Sequence, residues 1–166
     1  MAHEDRTLEK LVIGAIALAG VLFAIGWLTR DDPAERPYLR IAGGGFIYNY
    51  RVADVFYGFT AYVLKPLPAG SWIIAEFEDP GGGPPLTVET RMHARSAKYE
   101  VRSPGVRGVR AGQPYHVSIK VHDDTRTRVI WAWEKHFVSQ IDDMVVPDKP
   151  LTIGPGYHPN PDLGGS

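Results

Sequence analysis

Histidines at 93, 116, 122, 136 and 158 and the carboxylate pairs Asp123-Asp124 and Asp142-Asp143 are the groups best suited to bind a metal or move a proton. His116 and His122 would share one strand face, but six residues of strand separate them by about 20 Å, too far for one ion. A hairpin register that pairs His122 with Arg128 sets Glu134 opposite His116 and puts His136 two residues along the same face. His116, Glu134 and His136 are therefore the weak candidates for a cation, although an ordinary polar sheet face with no metal is the expected state. The aspartate pairs fall in polar loops and offer fewer oxygens than Ca²⁺ requires. Ser118 lies between His116 and Lys120, but neighbours at i and i+2 on a strand sit about 7 Å apart, beyond the reach of a base activating its nucleophile.

No G-x-S-x-G, H-E-x-x-H or S-x-x-K pattern is present. The glycine runs 43–45 and 81–83 lack the Lys-Ser/Thr sequel of a phosphate loop and read as turns or bulges. With no cysteine, the chain has no disulfides, thiolate metal sites, iron–sulfur clusters or cysteine nucleophiles. The expectation is a non-enzyme without a cofactor.

The 166 residues carry a formal net charge of −1, with 44% hydrophobic and 22% charged residues, which argues against a disordered acidic tail and a generally basic nucleic-acid binder. Between Arg91 and Arg110 there are six basic residues and one acidic one, Glu100. A solvated face accounts for them, with acidic lipid or an acidic partner as the alternative, and nucleic acid is not an expected partner.

The elements that position these groups divide into a helix and a set of strands. After a short leader, 1–10, the run Leu11–Thr29 has nineteen residues without a charge, bounded by Lys10 and Arg30. As a helix it is about 28 Å long, close to a hydrocarbon core. It is therefore expected to be a transmembrane helix rather than a signal peptide cut after Ala17-Leu18-Ala19, since it exceeds the usual apolar core of such peptides. Ala15/Ala19 and Gly20/Ala24 have the small-xxx-small spacing that lets a second membrane helix approach. Arg30, Arg36 and Arg40 outnumber Arg6 and Lys10, yet a short leader before a long folded domain is the layout of a signal anchor, and long domains translocate largely regardless of charge. The expected location is the cell inner membrane, single-pass, with a cytoplasmic N-terminus and the following domain periplasmic.

Residues 30–37, RDDPAERP, form a charged linker. Beyond it, alternating patterns at 38–42, 46–52, 55–63, 72–78, 86–93, 97–103, 115–122 and 128–138 predict seven or eight antiparallel strands, a mainly β domain over 38–143. Tyr115–His122 and Val129–Val138 should pair, with Trp131 and Trp133 in the core. A second hairpin, 86–93 with 98–103, is predicted from a register that pairs Met92 with Tyr99 and Thr90 with Val101 inside, and Glu89 with Arg102 and Arg91 with Glu100 outside. Residues 144–166 hold five prolines and four glycines, the composition of a disordered tail or of an extended arm.

The stretch KYEVRSPGVRGVRAGQPYHVSIKV, residues 98–121, resembles the E strand, loop and F strand of fibronectin type III and immunoglobulin-like sandwiches, and the likeness extends to about residue 138. The resemblance implies an immunoglobulin-like β-sandwich in which Tyr115 closes the corner through its hydroxyl, with Val109 beside it. It implies no function.

Residues 38–63 hold eight of the eighteen aromatics, and 55–63 is apolar on both parities. A sandwich strand has one inner face, so the second set needs a cover from the linker, the tail or a partner. Tyr48, Tyr50, Phe56, Tyr57 and Tyr62 are the candidate protein-contact residues. The function expected is that of a membrane-anchored, non-catalytic accessory or assembly subunit, with integral membrane proteins of a larger complex and the lipid bilayer as partners. The alternative is a tethered ligand- or metal-binding module assisting a respiratory or envelope system.

Overall fold

The computed structural model describes residues 2–29 and 36–163, with side chains of the first segment described at Lys10 and from Val12 onward. Most of the 30–37 linker, the side chains of the leader and the last three residues lie outside these. The chain divides into two compact units, with the boundary along the sequence between Arg36 and Pro37.

The first unit is helix α1 (Ala2–Leu28). Its apolar residues occupy consecutive positions, so they cover every side of the helix rather than one stripe. Ile16, Phe23 and Leu28 are 68%, 71% and 83% exposed. Among the described residues no helix is long and apolar enough to cross a membrane. The transmembrane expectation for 11–29 is thus not met there: the described apolar side chains run from Val12 to Leu28, about 26 Å of helix, and Leu11 falls outside them.

The second unit is mainly β. Its strands are β1 (Leu39–Asn49), β2 (Asp54–Val63), β3 (Trp72–Phe77), β4 (Leu86–Arg91), β5 (Lys98–Arg102), β6 (Pro114–His122) and β7 (Val129–Val138), followed by the two-residue strands β8 (Thr152–Ile153) and β9 (His158–Pro159). Two antiparallel sheets, ordered β1-β2-β5 and β4-β3-β6-β7, share one hydrophobic core. Alternation sets which side chains enter it. In β2 these are Val55, Tyr57, Phe59 and Ala61, in β3 Ile73, Ala75 and Phe77, and in β6 Tyr115, Val117, Ile119 and Val121.

The predicted strands 38–42 and 46–52 are one strand, β1, and the glycine run 43–45 lies inside it beside a bulge between Ile41 and Gly43. Gly44 and Gly58 have a close-packing role. A Cβ on Gly44 would meet the Gly58 carbonyl and the Phe137 ring, and one on Gly58 would meet the Val101 carbonyl. The other run, 81–83, forms the β3–β4 turn, where the Asp79 carboxylate accepts the Gly81 N–H at 2.9 Å.

The predicted pairing of 86–93 with 98–103 does not form. β4 pairs with β3, while β5 pairs with β2, so the chain crosses from one sheet to the other between them. Met92 and Tyr99 are both buried as expected, but in a crossover. There the Tyr99 hydroxyl accepts the His93 N–H at 2.7 Å. The charges that suggested the hairpin are satisfied elsewhere: Glu100 by Lys98 and Arg102 on its own strand, Glu89 by Arg126.

The C-terminal segment, for which disorder was one expectation, is an arm laid on its own domain throughout its described part. Val146 is 3% exposed and joins the core, which therefore extends past residue 143. The Asp142 and Asp143 carboxylates accept the N–H groups of Ala111 and Gly108 at 2.7 and 2.6 Å. Thr152 donates its N–H to the Arg51 carbonyl at 3.0 Å, and the Arg51 guanidinium lies 5.3 Å from the Tyr157 ring centre.

A candidate interaction surface

The five aromatic residues proposed for protein contact separate by strand parity. Tyr57 is fully buried, with its ring 4.5 Å from Phe46 and 5.1 Å from Phe77, and its hydroxyl donates to the Glu78 carbonyl. Burial first, and then the charges of Glu78 and Asp79, push its phenol far above the ordinary tyrosine value. Tyr48 also points inward. Its hydroxyl lies 2.6 Å from the Ser139 hydroxyl and donates to the Ile141 carbonyl at 2.9 Å. Burial raises its pKa, against the hydrogen bond to Ser139. Tyr57 is thus a core residue, a correction to its contact assignment, whereas Tyr48 is half-buried with its hydroxyl engaged within the domain. Tyr50 lies exposed at the start of the β1–β2 turn.

Phe56 and Tyr62 have the other parity and stand on the outer face of sheet β1-β2-β5. The Arg102 guanidinium lies 5.4 Å from the Phe56 ring centre, and that of Arg40 lies 5.5 Å from Tyr62. The second apolar set of β2 is thus roofed in part by guanidinium groups, which stack on an aromatic while remaining hydrated. Between these two stacks, where Gly43, Gly45 and Gly58 carry no side chain, a groove of about 350 Å³ runs across the sheet, also lined by Ile47, Thr60 and Glu100. Ile47 is 46% exposed and opposite Phe56. Along β5, Lys98 binds Glu100 at 2.6 Å; its ammonium holds the Glu100 carboxyl below the usual range, and Glu100 raises the lysine.

In sequence terms the arginines of this surface have other roles, Arg102 as the partner of Glu89 and Arg40 among the charges that follow the apolar run. The available signal was cross-strand arithmetic: once β1-β2-β5 is the sheet, Arg40 falls opposite Tyr62, and Arg102 opposite Gly58, next to Phe56.

On the outer face of the other sheet His116 pairs with His136, and Ser118 rather than His116 faces Glu134. The register differs by two residues from the predicted one: His122 pairs with Val129 rather than Arg128, and a bulge between Val121 and His122 adds the second residue. His116 Nε2 still lies 3.5 Å from Glu134 Oε2, and the two imidazoles are 5.2 Å apart. Even so, no group of three or more His, Cys, Asp or Glu among the described residues could hold a metal ion. Ser118, on the same outer face, is buried between its neighbours on β3 and β7, and beside it Lys120 and Glu76 approach to 3.6 Å. Two guanidiniums approach the Trp72 ring centre, Arg126 to 3.8 Å and Arg91 to 5.8 Å.

Tyr115 is fully buried, and its hydroxyl accepts the Arg110 N–H at 2.8 Å and donates to the Gly108 carbonyl at 3.4 Å. It ties the β5–β6 loop to the start of β6, with Val109 buried. Trp131 and Trp133 pack half-buried against the core. Ala15, Ala19, Gly20 and Ala24 lie exposed on α1, each pair one turn apart. Neither a family model, nor a curated protein, nor a solved structure shows significant similarity to the chain.

Proposed function

We propose that the protein is a single-pass, membrane-anchored accessory or assembly subunit, non-catalytic, whose β domain lies outside the cytoplasm and binds proteins of a larger membrane complex. The observation that carries this reading is α1, whose apolar side chains are exposed on all sides. A helix of that kind requires an apolar surround, either lipid or other helices. Counted on the sequence, with Leu11 and Thr29, its uncharged run is nineteen residues, within the roughly 17–25 that a span requires. The pairs Ala15/Ala19 and Gly20/Ala24 offer packing faces for partner helices.

The strand orders β1-β2-β5 and β4-β3-β6-β7 and the Tyr115 hydroxyl bridge support a fibronectin type III or immunoglobulin-like sandwich. The outer face of β1-β2-β5 is the surface proposed for the partner, an extended segment of protein laid along the glycine groove between the Phe56–Arg102 and Tyr62–Arg40 stacks. Aromatic and arginine side chains beside accessible backbone are the composition of interface centres. Tethering would raise the local concentration of the domain, so that a small interface suffices.

Membrane fractions of cells expressing the full chain provide the test. The chain is expected to resist alkaline carbonate extraction, and in spheroplasts its β domain should be digested by external protease. Release by carbonate, or protection of the domain until the membrane is lysed, contradicts the reading.

A further inference from the structure

We propose that the end of the β domain at which Pro37 enters is a contact surface for anionic lipid headgroups, an inference that rests on the membrane anchoring proposed above. Leu39 pairs with Val63, Tyr62 with Lys98, Trp72 with both Arg91 and His122, and His122 with Val129. These pairings gather the start of β1 and the connections 64–71, 92–97 and 123–128 at one end. Segments 64–71 and 92–97 touch there and line a groove of about 240 Å³ with Val63, Leu67 and Met92 in its wall.

This end is basic. Its connections carry Lys65, Arg95, Arg126 and Arg128 against Asp123 and Asp124, with Arg126 paired to Glu89 of β4 at 2.7 Å. Asp123 is turned into its own loop, accepting the N–H groups of Thr127 and Arg128 at 2.9 and 3.3 Å. Apolar groups stand among the cations: Leu64 is 42% exposed, and Pro66 and Pro68 flank Leu67. The opposite end has the reverse sign. Its turns and arm carry Glu78, Asp79, Asp142, Asp143, Asp148 and Asp162 against Arg51, Arg107, Arg110 and Lys149, and Arg107 is engaged by the carbonyls of Ala53 and Pro147 at 3.0 and 2.9 Å.

A domain whose ends differ in sign orients in the field of an anionic leaflet, basic end down. Exposed apolar tips among the cations suit the headgroup boundary, where the stems of Lys and Arg stay in apolar contact while their charges meet phosphate.

The absence of cysteine permits a single spin label at Ser96→Cys, in the exposed 92–97 connection, or at Gln140→Cys, beyond β7 at the acidic end. The full chain is reconstituted in nanodiscs of phosphatidylcholine alone or with phosphatidylglycerol, and label accessibility to a water-soluble relaxer is read. The expected result is shielding of the Ser96 label only in the phosphatidylglycerol discs, with the Gln140 label in water in both. Arg95→Gln and Arg128→Gln should each lower the docked-to-free ratio about fivefold, and added salt should abolish docking.

If the chain inserts but the Ser96 label stays in water, or is shielded equally in both discs, the headgroup contact is wrong and the anchor stands. If shielding arises only in native membranes, a protein occupies this end and the contact with lipid is again wrong. If the chain fails to insert, both readings fall.

Discussion

Phe56 and Tyr57 are adjacent on β2 and meet opposite environments. Tyr57 is enclosed by Phe46, Phe77 and Tyr115, with its hydroxyl held by a backbone carbonyl, whereas Phe56 lies on the outer face under a single guanidinium. A strand apolar on both parities therefore does not show which ring is core. Burial of its neighbours decides that, and the outer aromatic remains free to serve contact. The hydroxyl of a tyrosine is no guide to exposure either, since Tyr48, Tyr57, Tyr99 and Tyr115 all satisfy theirs at the ends of the core.

The sharpest way to break this contrast is to truncate each ring. Tyr57→Ala removes a fully buried aromatic from three ring contacts and is expected to cost about 3–5 kcal/mol. Phe56→Ala loses one cation–π contact and partial burial, so its cost is expected to stay within about 1 kcal/mol. Urea unfolding of the two variants in the same detergent gives both numbers, and equal costs would put Phe56 in the core. A smaller effect separates hydroxyl from ring. Tyr115→Phe keeps the buried ring but leaves the Arg110 N–H without its acceptor, at about 1–2 kcal/mol. Hydrogen exchange at that amide should rise, whereas an unchanged rate would show that the hydroxyl does not close the loop.

The parity that separates Tyr57 from Phe56 was legible in 55–63 only once the neighbouring strands were known. The strands themselves were legible because they alternate: Tyr115–His122 and Val129–Val138 pair as expected, apart from a two-residue slip, one residue at the turn and one at a bulge, that no composition signals. The β4–β5 hairpin failed for a related reason. Opposite charges at matched positions fit a register, but the same residues fit other partners, and burial of Met92 and Tyr99 is served equally by a crossover between sheets. The docking of the tail from residue 144 onward was obscured because proline and glycine fix how a segment cannot fold while leaving its docking to long-range partners such as Arg51. At the candidate surface the aromatics were legible and the arginines roofing them were not, since the pairing β1-β2-β5 joins segments some forty residues apart.

The smallest expected effect appears only in alkali and distinguishes Tyr57 by its proton. Its phenol is held far above its ordinary value by burial and, after that, by the carboxylates of Glu78 and Asp79, whereas an unfolded tyrosine ionises near pH 10. Below about pH 10 both states keep the proton, and the contribution to stability is complete. Above it the unfolded chain binds fewer protons than the folded one, so stability falls with rising pH, at up to about 1.4 kcal/mol per unit for one group. Tyr57→Phe removes that slope. At neutral pH the variant should be less stable by about 1 kcal/mol, having lost the hydrogen bond to the Glu78 carbonyl, and the gap should close within about one unit above pH 10. Phe56 has no such group, so Phe56→Ala should track the parent curve at every pH. Parallel urea midpoints for Tyr57→Phe and the parent from pH 8 upward would place the Tyr57 hydroxyl in contact with water and erase the distinction between the two rings.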